Sequence, residues 1–265
     1  MNDTNQKKMR AMALFAAFWL MVCTINARAA EQAYSWYCKR APDHKQPTLD
    51  TPMQFITEYG GYYLDTRHGD ECEDKVLYLT FDAGYENGNV SRVLDVLKSE
   101  QVPGAFFILA HLLEANTDLV QRMVDEGHLV CNHTVKHRNR THVTSKEEFE
   151  TELRTLETLF YEKTGSVMPK YYRPPEGRFS QSNLKMAREA GYCTIFWSFA
   201  YADWDNDRQM SPEAAKKIIL DNIHNGAVLL LHPTSATNAA VLGDVIRECK
   251  EQGYRFGTLD ELVAP

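Results

Sequence analysis

The stretch Val76-Leu77-Tyr78-Leu79-Thr80-Phe81-Asp82-Ala83-Gly84-Tyr85-Glu86-Asn87-Gly88 carries apolar and β-branched residues straight into one aspartate and then a Gly/Asn-rich turn. An unbroken apolar run bounded by turn residues reads as a strand buried on both faces. Its last residue, Asp82, then stands at the carboxyl end of a strand, where parallel α/β sheets and barrels keep their chemistry. A turn aspartate bonding its own backbone would look the same in isolation. The functional reading gains from later strands that also end on polar residues.

Downstream of Lys75 the chain alternates regularly. Val90, Val93, Leu94 and Leu97 recur at helical spacing, and Gly104 to Leu109 reads as a second strand. His128 to Cys131, Tyr171 to Arg173, Tyr192 to Trp197, Ala227 to Leu231 and Tyr254 to Phe256 supply five more. Ser145-Lys146-Glu147-Glu148 is a capping-box signature, and Ser211-Pro212 offers a cap and a first-turn proline. Gly127, Gly191, Gly226 and Gly253 each close a helical pattern and enter a strand directly, which predicts repeated αβ units and a parallel sheet. Seven strands with intervening helices predict a (β/α)7 barrel, an open doubly wound sheet being the alternative.

The ends of the chain have a different character. Lys7, Lys8 and Arg10 precede an apolar run from Ala11 to Ile25, and Ala27-Arg28-Ala29 follows as a small-x-small site. This is the pattern of a secretory signal peptide over residues 1–29, with an uncleaved anchor as the alternative. Residues 30–74, rich in proline and aromatics, read as an irregular extension laid over a domain that runs from 75 to 265. Removing the leader takes four basic side chains and one acidic one from the totals of 29 and 36, leaving 25 against 35. An acidic chain without a basic run excludes nucleic acid as the expected partner. The six cysteines show no CxxC spacing. Cys38 and Cys72 are a candidate disulfide in an exported protein, while Cys131, Cys193 and Cys249 read as buried thiols.

Four further strand ends bear on function. His133-Thr134-Val135-Lys136-His137 follows the third strand and sets two imidazoles four apart, on one face if helical and within reach of one divalent ion. Arg173 stands before Pro174-Pro175, which would hold its guanidinium at the rim. Asp203-Trp204 pairs a carboxylate with a ring suited to stacking on a sugar. His232 closes the apolar strand Val228-Leu229-Leu230-Leu231. Surface or packing histidines, a surface ion pair and a core tryptophan are the bland counterparts.

Taken in order, these stretches resemble the polysaccharide deacetylase family, which shares the NodB homology domain of carbohydrate esterase family 4. Thr80-Phe81-Asp82, His133 to His137, Arg173-Pro174-Pro175, Asp203-Trp204 and Leu230-Leu231-His232 match its five motifs, spanning about residues 75–260. Gly84 to Gly88, Tyr62-Tyr63-Leu64 and the Ser235, Asn238 and Leu242 pattern resemble the branch of delta-lactam-biosynthetic de-N-acetylases of spore-forming bacteria. That resemblance implies a distorted barrel of the NodB type. It implies de-N-acetylation of N-acetylmuramic acid in peptidoglycan, leading to muramic δ-lactam in spore cortex, and dependence on an N-acetylmuramoyl-L-alanine amidase.

The resemblance also implies roles. His133 and His137 hold a divalent ion, Asp82 is the general base oriented by Arg173, and His232 is the general acid held as imidazolium by Asp203. Trp204, Tyr85, Asn87, His111 and Pro174 fall on the substrate side, and Arg173 or His111 could meet a lactyl carboxylate. Ala83 departs from the wider family, which has a second, metal-binding aspartate there; the branch also lacks it. The third ligand place is left to Asp82, Asn87 or water. Zinc is the family's usual ion, and magnesium or manganese would suit a weaker site. Rival readings are a deacetylase of N-acetylglucosamine in peptidoglycan or another glycan, and a wall-binding protein without turnover. An intracellular α/β hydrolase fails on the leader and on the lack of a GxSxG elbow.

Overall fold

The computed structural model describes residues 31–265, and the expected signal peptide lies outside the described residues. Two short strands, β1 (Ala33–Ser35) and β2 (Gly61–Tyr62), precede the long strand β3 (Lys75–Ala83), which is buried from Val76 to Phe81. There follow α1 (Val90–Glu100), β4 (Ala105–Ile108), α2 (Ala110–Ala115), α3 (Thr117–Asp125), β5 (Leu129–Asn132) and α4 (Lys146–Thr164). The chain continues through β6 (Tyr171–Tyr172), β7 (Arg178–Ser180), α5 (Gln181–Glu189), β8 (Cys193–Ile195) and α6 (Pro212–Leu220). It ends with β9 (Ala227–Leu231), α7 (Ala236–Glu251), β10 (Tyr254–Phe256) and α8 (Leu259–Leu262). The caps expected at Ser145 and Ser211 form, accepting from the amides of Glu148 and Ala214.

The seven strands expected from the pattern are present and parallel. β3 pairs with β9 through Leu77–Phe81, with β4 through Thr80–Ala83 and with β10 through Lys75–Leu77. The ladder runs on from β4 through β5, β6 and β8 to β2. The seam between β8 and β9 is closed unevenly. Phe199, beyond the end of β8, makes one parallel bridge to Leu229, and Leu64, just past β2, bridges Ala227. The result is a curled, distorted barrel rather than an even ring.

The segment 31–74 is therefore more than a covering. It adds β2 to the sheet, and β1 pairs antiparallel with β7. Trp36, Met53, Ile56, Phe179, Leu184 and Phe196 make a shared apolar cluster, and residues 33–265 form one compact unit. Each such side chain contributes about 1.5–3 kcal/mol on burial. Cys38 and Cys72 are free thiols, so the candidate disulfide is not made. Cys38 packs against the aromatic cluster, whereas the Cys72 carbonyl is tied to the Asn225 amide, at a different part of the barrel. Cys131 and Cys249 are buried thiols; Cys193 is half-buried.

Strand pleat decides what faces the interior. Leu77, Leu79, Phe81 and Ala83 join the cluster between sheet and helices, while Val76 and Tyr78 face the barrel interior. The period of two then puts Thr80 and Asp82 on the interior side as well.

Candidate active site

Asp82 meets Arg173 at the carboxyl end of the barrel. β6 ends where Pro174 removes a backbone donor, and the Arg173 side chain turns inward rather than out to the rim expected for it. It is 0% exposed and stacks over the Phe107 ring, 4.1 Å from its centroid. Nε donates to the Ile195 carbonyl at 3.0 Å and Nη2 to Thr80 Oγ1 at 2.9 Å. Nη1 donates to Asp82 Oδ1 at 2.7 Å. Burial alone would raise the Asp82 pKa. The Arg173 charge and the nearby imidazoles of His133 and His232 outweigh it and hold the carboxyl below its ordinary range.

His133 and His137 are brought together by a turn, not by the helical spacing considered for them. Thr134 and His137 take positive φ values of 73° and 54°, a costly conformation for a β-branched residue. The turn is held by Thr134 N–H to Asn132 Oδ1 at 2.9 Å and His137 N–H to Thr134 Oγ1 at 3.1 Å. The two rings lie edge to face with centroids 4.8 Å apart.

The His133 ring is fixed by the Arg173 carbonyl, 2.9 Å from Nδ1. A carbonyl only accepts, so Nδ1 carries the proton and Nε2 presents a lone pair. That lone pair lies 3.5 Å from Asp82 Oδ2. Burial pushes the His133 pKa down to about 4, against the pull of Asp82, so the ring is neutral near pH 7. Two acceptors facing each other, with a second imidazole alongside, fit a divalent cation. The fit is to an open site: among the described residues no three His, Cys, Asp or Glu side chains group closely enough to hold an ion unaided. Ala83 is buried in the outer apolar cluster and supplies nothing.

His232 follows β9 and is held by Asp203. Its Nδ1 lies 2.7 Å from Asp203 Oδ1, and its backbone N–H donates to Oδ2 at 2.8 Å. Burial would lower the His232 pKa, but the hydrogen bond and charge of Asp203, with the charge of Asp82, raise it above the ordinary value. The exposed Trp204 ring stands edge-on to it at 6.3 Å.

Asp82, His133, His137 and His232 line one cavity of about 640 Å³, with Tyr85 and Trp204 also on its wall. Arg173 and Asp203 stand behind that wall, and three of the five substrate-side candidates also fall outside the lining. His111 is exposed at the start of α2, because the helix turns its apolar Leu112 and Leu113 inward instead. Asn87 is spent on the Thr234 carbonyl at 2.8 Å, and Pro174 is buried behind the wall. Tyr201, Trp197, Glu176 and Leu109 line the cavity without having been singled out as site residues. For Trp197 and Tyr201 the available signal was an aromatic close behind an apolar strand; nothing local marked Glu176. Asn238 donates to the Asp203 carboxylate; in the sequence it stands out only within the Ser235, Asn238 and Leu242 pattern, with no role attached to it.

The sequence model of one family, described as Polysaccharide deacetylase, matches residues 69–195. The peptidoglycan-N-acetylmuramic acid deacetylase PdaA of Bacillus subtilis is 38% identical over 86% of this chain and 85% of its own. A peptidoglycan-N-acetylglucosamine deacetylase of Bacillus cereus is 32% identical over 72% of this chain and 89% of its own. The solved structure of Bacillus subtilis PdaA, a family 4 carbohydrate esterase, superposes with a TM-score of 0.81 at 36% identity, covering 87% of this chain and 97% of that one.

Proposed function

This chain belongs to the polysaccharide deacetylase family, and from that membership we propose that it removes the acetyl group of N-acetylmuramic acid in peptidoglycan. It is a hydrolase of the N-acetyl amide, and the two relatives named above are peptidoglycan deacetylases. The observation that carries the reading is the placing of a depressed carboxylate, Asp82, and a raised imidazole, His232, on the wall of one cavity.

Hydrolysis of an amide needs a base for water and an acid for the departing amine. Asp82, kept ionised by Arg173, takes the proton of the attacking water. His232, kept protonated by Asp203, gives a proton to the amine nitrogen as the carbon–nitrogen bond breaks. Deacetylases of this family depend on a metal in general. His133 and His137 would hold it, and it supplies polarisation of the amide carbonyl and acidification of water. Zinc is the ion we propose, with magnesium or manganese as the ions of a weaker site.

The finer substrate assignment rests on the muramic acid deacetylase, whose similarity extends over more of the chain than that of the glucosamine deacetylase. The proposal includes export of the protein to the glycan and prior stripping of the stem peptide by an N-acetylmuramoyl-L-alanine amidase. The freed lactyl carboxyl group could then condense with the new amine, with loss of water, to the δ-lactam of spore cortex. Mass spectrometry of muropeptides tests it, with residues 30–265 added to peptidoglycan with and without amidase treatment. Acetyl loss from muramic acid only in treated glycan supports the reading. Loss from glucosamine replaces it with the other specificity, and glycan binding without acetyl loss replaces it with a wall-binding role.

A further inference from the structure

The hydrogen bonds around His232 do not stop at Asp203. Asp203, 2% exposed, also accepts from Asn238 Nδ2 at 2.6 Å, and the same nitrogen donates to the His232 carbonyl at 3.1 Å. The other end of that amide, Oδ1, accepts from the Tyr201 hydroxyl. An amide has one donating and one accepting end, so its orientation matters. Flipped, Asn238 would turn its oxygen on the Asp203 carboxylate, and the Tyr201 donor would lose its acceptor. Asn238 is 1% exposed, where no water can make up for a wrong turn.

A second path returns to the same point. The Asn238 N–H donates to Ser235 Oγ at 3.0 Å, and the Ser235 hydroxyl donates to Gln209 Oε1. Gln209 Nε2 donates in turn to the carbonyls of Asp203 at 3.0 Å and Asp205 at 2.7 Å. The circuit thus begins and ends at Asp203 and ties together the β8–α6 loop, the β9–α7 turn and the first turn of α7. Buried polar circuits with every member satisfied hold one geometry.

We infer that Asn238, its amide turned by the Tyr201 hydroxyl, is a positioning residue that fixes the Asp203 carboxylate and through it the His232 ring. The inference rests on the reading of His232 as the acid of deacetylation and adds a residue to it. Without the Asn238 donor one Asp203 oxygen keeps only the His232 backbone N–H, and the carboxylate is free to turn away from the ring. The charged groups facing His232 are Asp203 from the β8–α6 loop, Asp82 from β3 and Arg173 from the end of β6.

The test compares Tyr201→Phe and Asn238→Ala with the unmutated protein by two readouts. One is kcat and KM against pH on an N-acetylated glycan. The other is NMR of the His232 imidazole, which reads its pKa and its hydrogen-bonded Nδ1 proton with no substrate present. Tyr201→Phe is expected to lower kcat about tenfold with KM within about twofold. The alkaline limb of kcat and the ring pKa move down together, and the Nδ1 proton signal weakens. Asn238→Ala does the same more strongly; if it does not fold, the phenylalanine variant carries the test. A ring pKa and Nδ1 signal that stay unchanged or move up in a folded variant overturn the inference. An unmutated protein without turnover overturns the acid role instead, while the NMR arm still decides the positioning.

Discussion

Arg173 lies beneath Asp82, not beside it: its Nη1 is 2.7 Å from Asp82 Oδ1 while the whole side chain is sealed inside the barrel. The cation therefore acts on the carboxylate from the protein side and leaves the cavity side open to water. Replacing it with methionine removes the charge that outweighs burial. The Asp82 carboxyl then rises, so activity is lost from the acid side at a higher pH than before. In Arg173→Met, kcat at neutral pH is expected to fall at least about 10²-fold. Loss of one partner of a buried pair also costs about 3–5 kcal/mol of stability. Arg173→Lys is not expected to restore activity, because the donors to Ile195 and Thr80 are lost with the planar fork. Kinetics against pH, with melting curves as control, check this.

Asp203→Asn tests the other half of the pair. His232 titrates above its ordinary value because of Asp203, so its protonated form, and the activity it supports, is lost as pH rises through that value. Asparagine removes the charge and one acceptor. The alkaline limb of kcat should move to lower pH, with a drop of about 10²-fold at neutral pH.

The imidazole pair should govern metal retention. His133→Ala and His137→Ala are each expected to lose bound zinc on gel filtration, measured by elemental analysis, and with it turnover. With two imidazoles and no carboxylate at Ala83, the unmutated protein should give up its ion readily to a chelator and recover on zinc addition.

Far from the cavity, Asp65 anchors the start of the barrel. Burial alone would raise its pKa, but donors from Arg67, Tyr78 and His68 bring it down to about 2. Against an ordinary 3.8 this corresponds to stability on the order of 2 kcal/mol. The sign follows from the lowered value: the contribution is complete above the unfolded pKa and is lost as pH falls through about 2. Asp65→Asn should therefore destabilise by roughly that amount at pH 7 in urea titrations, and the gap to the unmutated protein should narrow below pH 4.

Gly226 and Gly253 make a matched pair. Both take positive φ, 72° and 85°. A Cβ at Gly226 would sit 2.3 Å from the Asp65 carbonyl oxygen, while one at Gly253 meets nothing within 4 Å. Gly253→Ala should cost about 1 kcal/mol, the left-handed penalty alone. Gly226→Ala should cost more than about 3 kcal/mol, because backbone must move. Equal melting temperatures for the two would contradict this.

The strand and helix alternation, the glycine joints, the caps at Ser145 and Ser211, and the placing of Asp82 at a strand end were all legible in the sequence. Each depends on residues within a few positions of one another, where period, capping and φ preference act directly. What only the tertiary structure decided depends on pairs remote in the chain. Arg173 and Asp82 are 91 positions apart, and whether the guanidinium lies at the rim or beneath the carboxylate follows from barrel curvature. His133 and His137 converge through a strained turn that no periodicity encodes. The extension's bridge at Leu64 and the Asn238 support of Asp203 exist because β9 closes on two segments remote from each other in the chain, one before β3 and one after β8. A strand's pleat is local, but what it faces is settled by closure, and closure is a property of the whole chain.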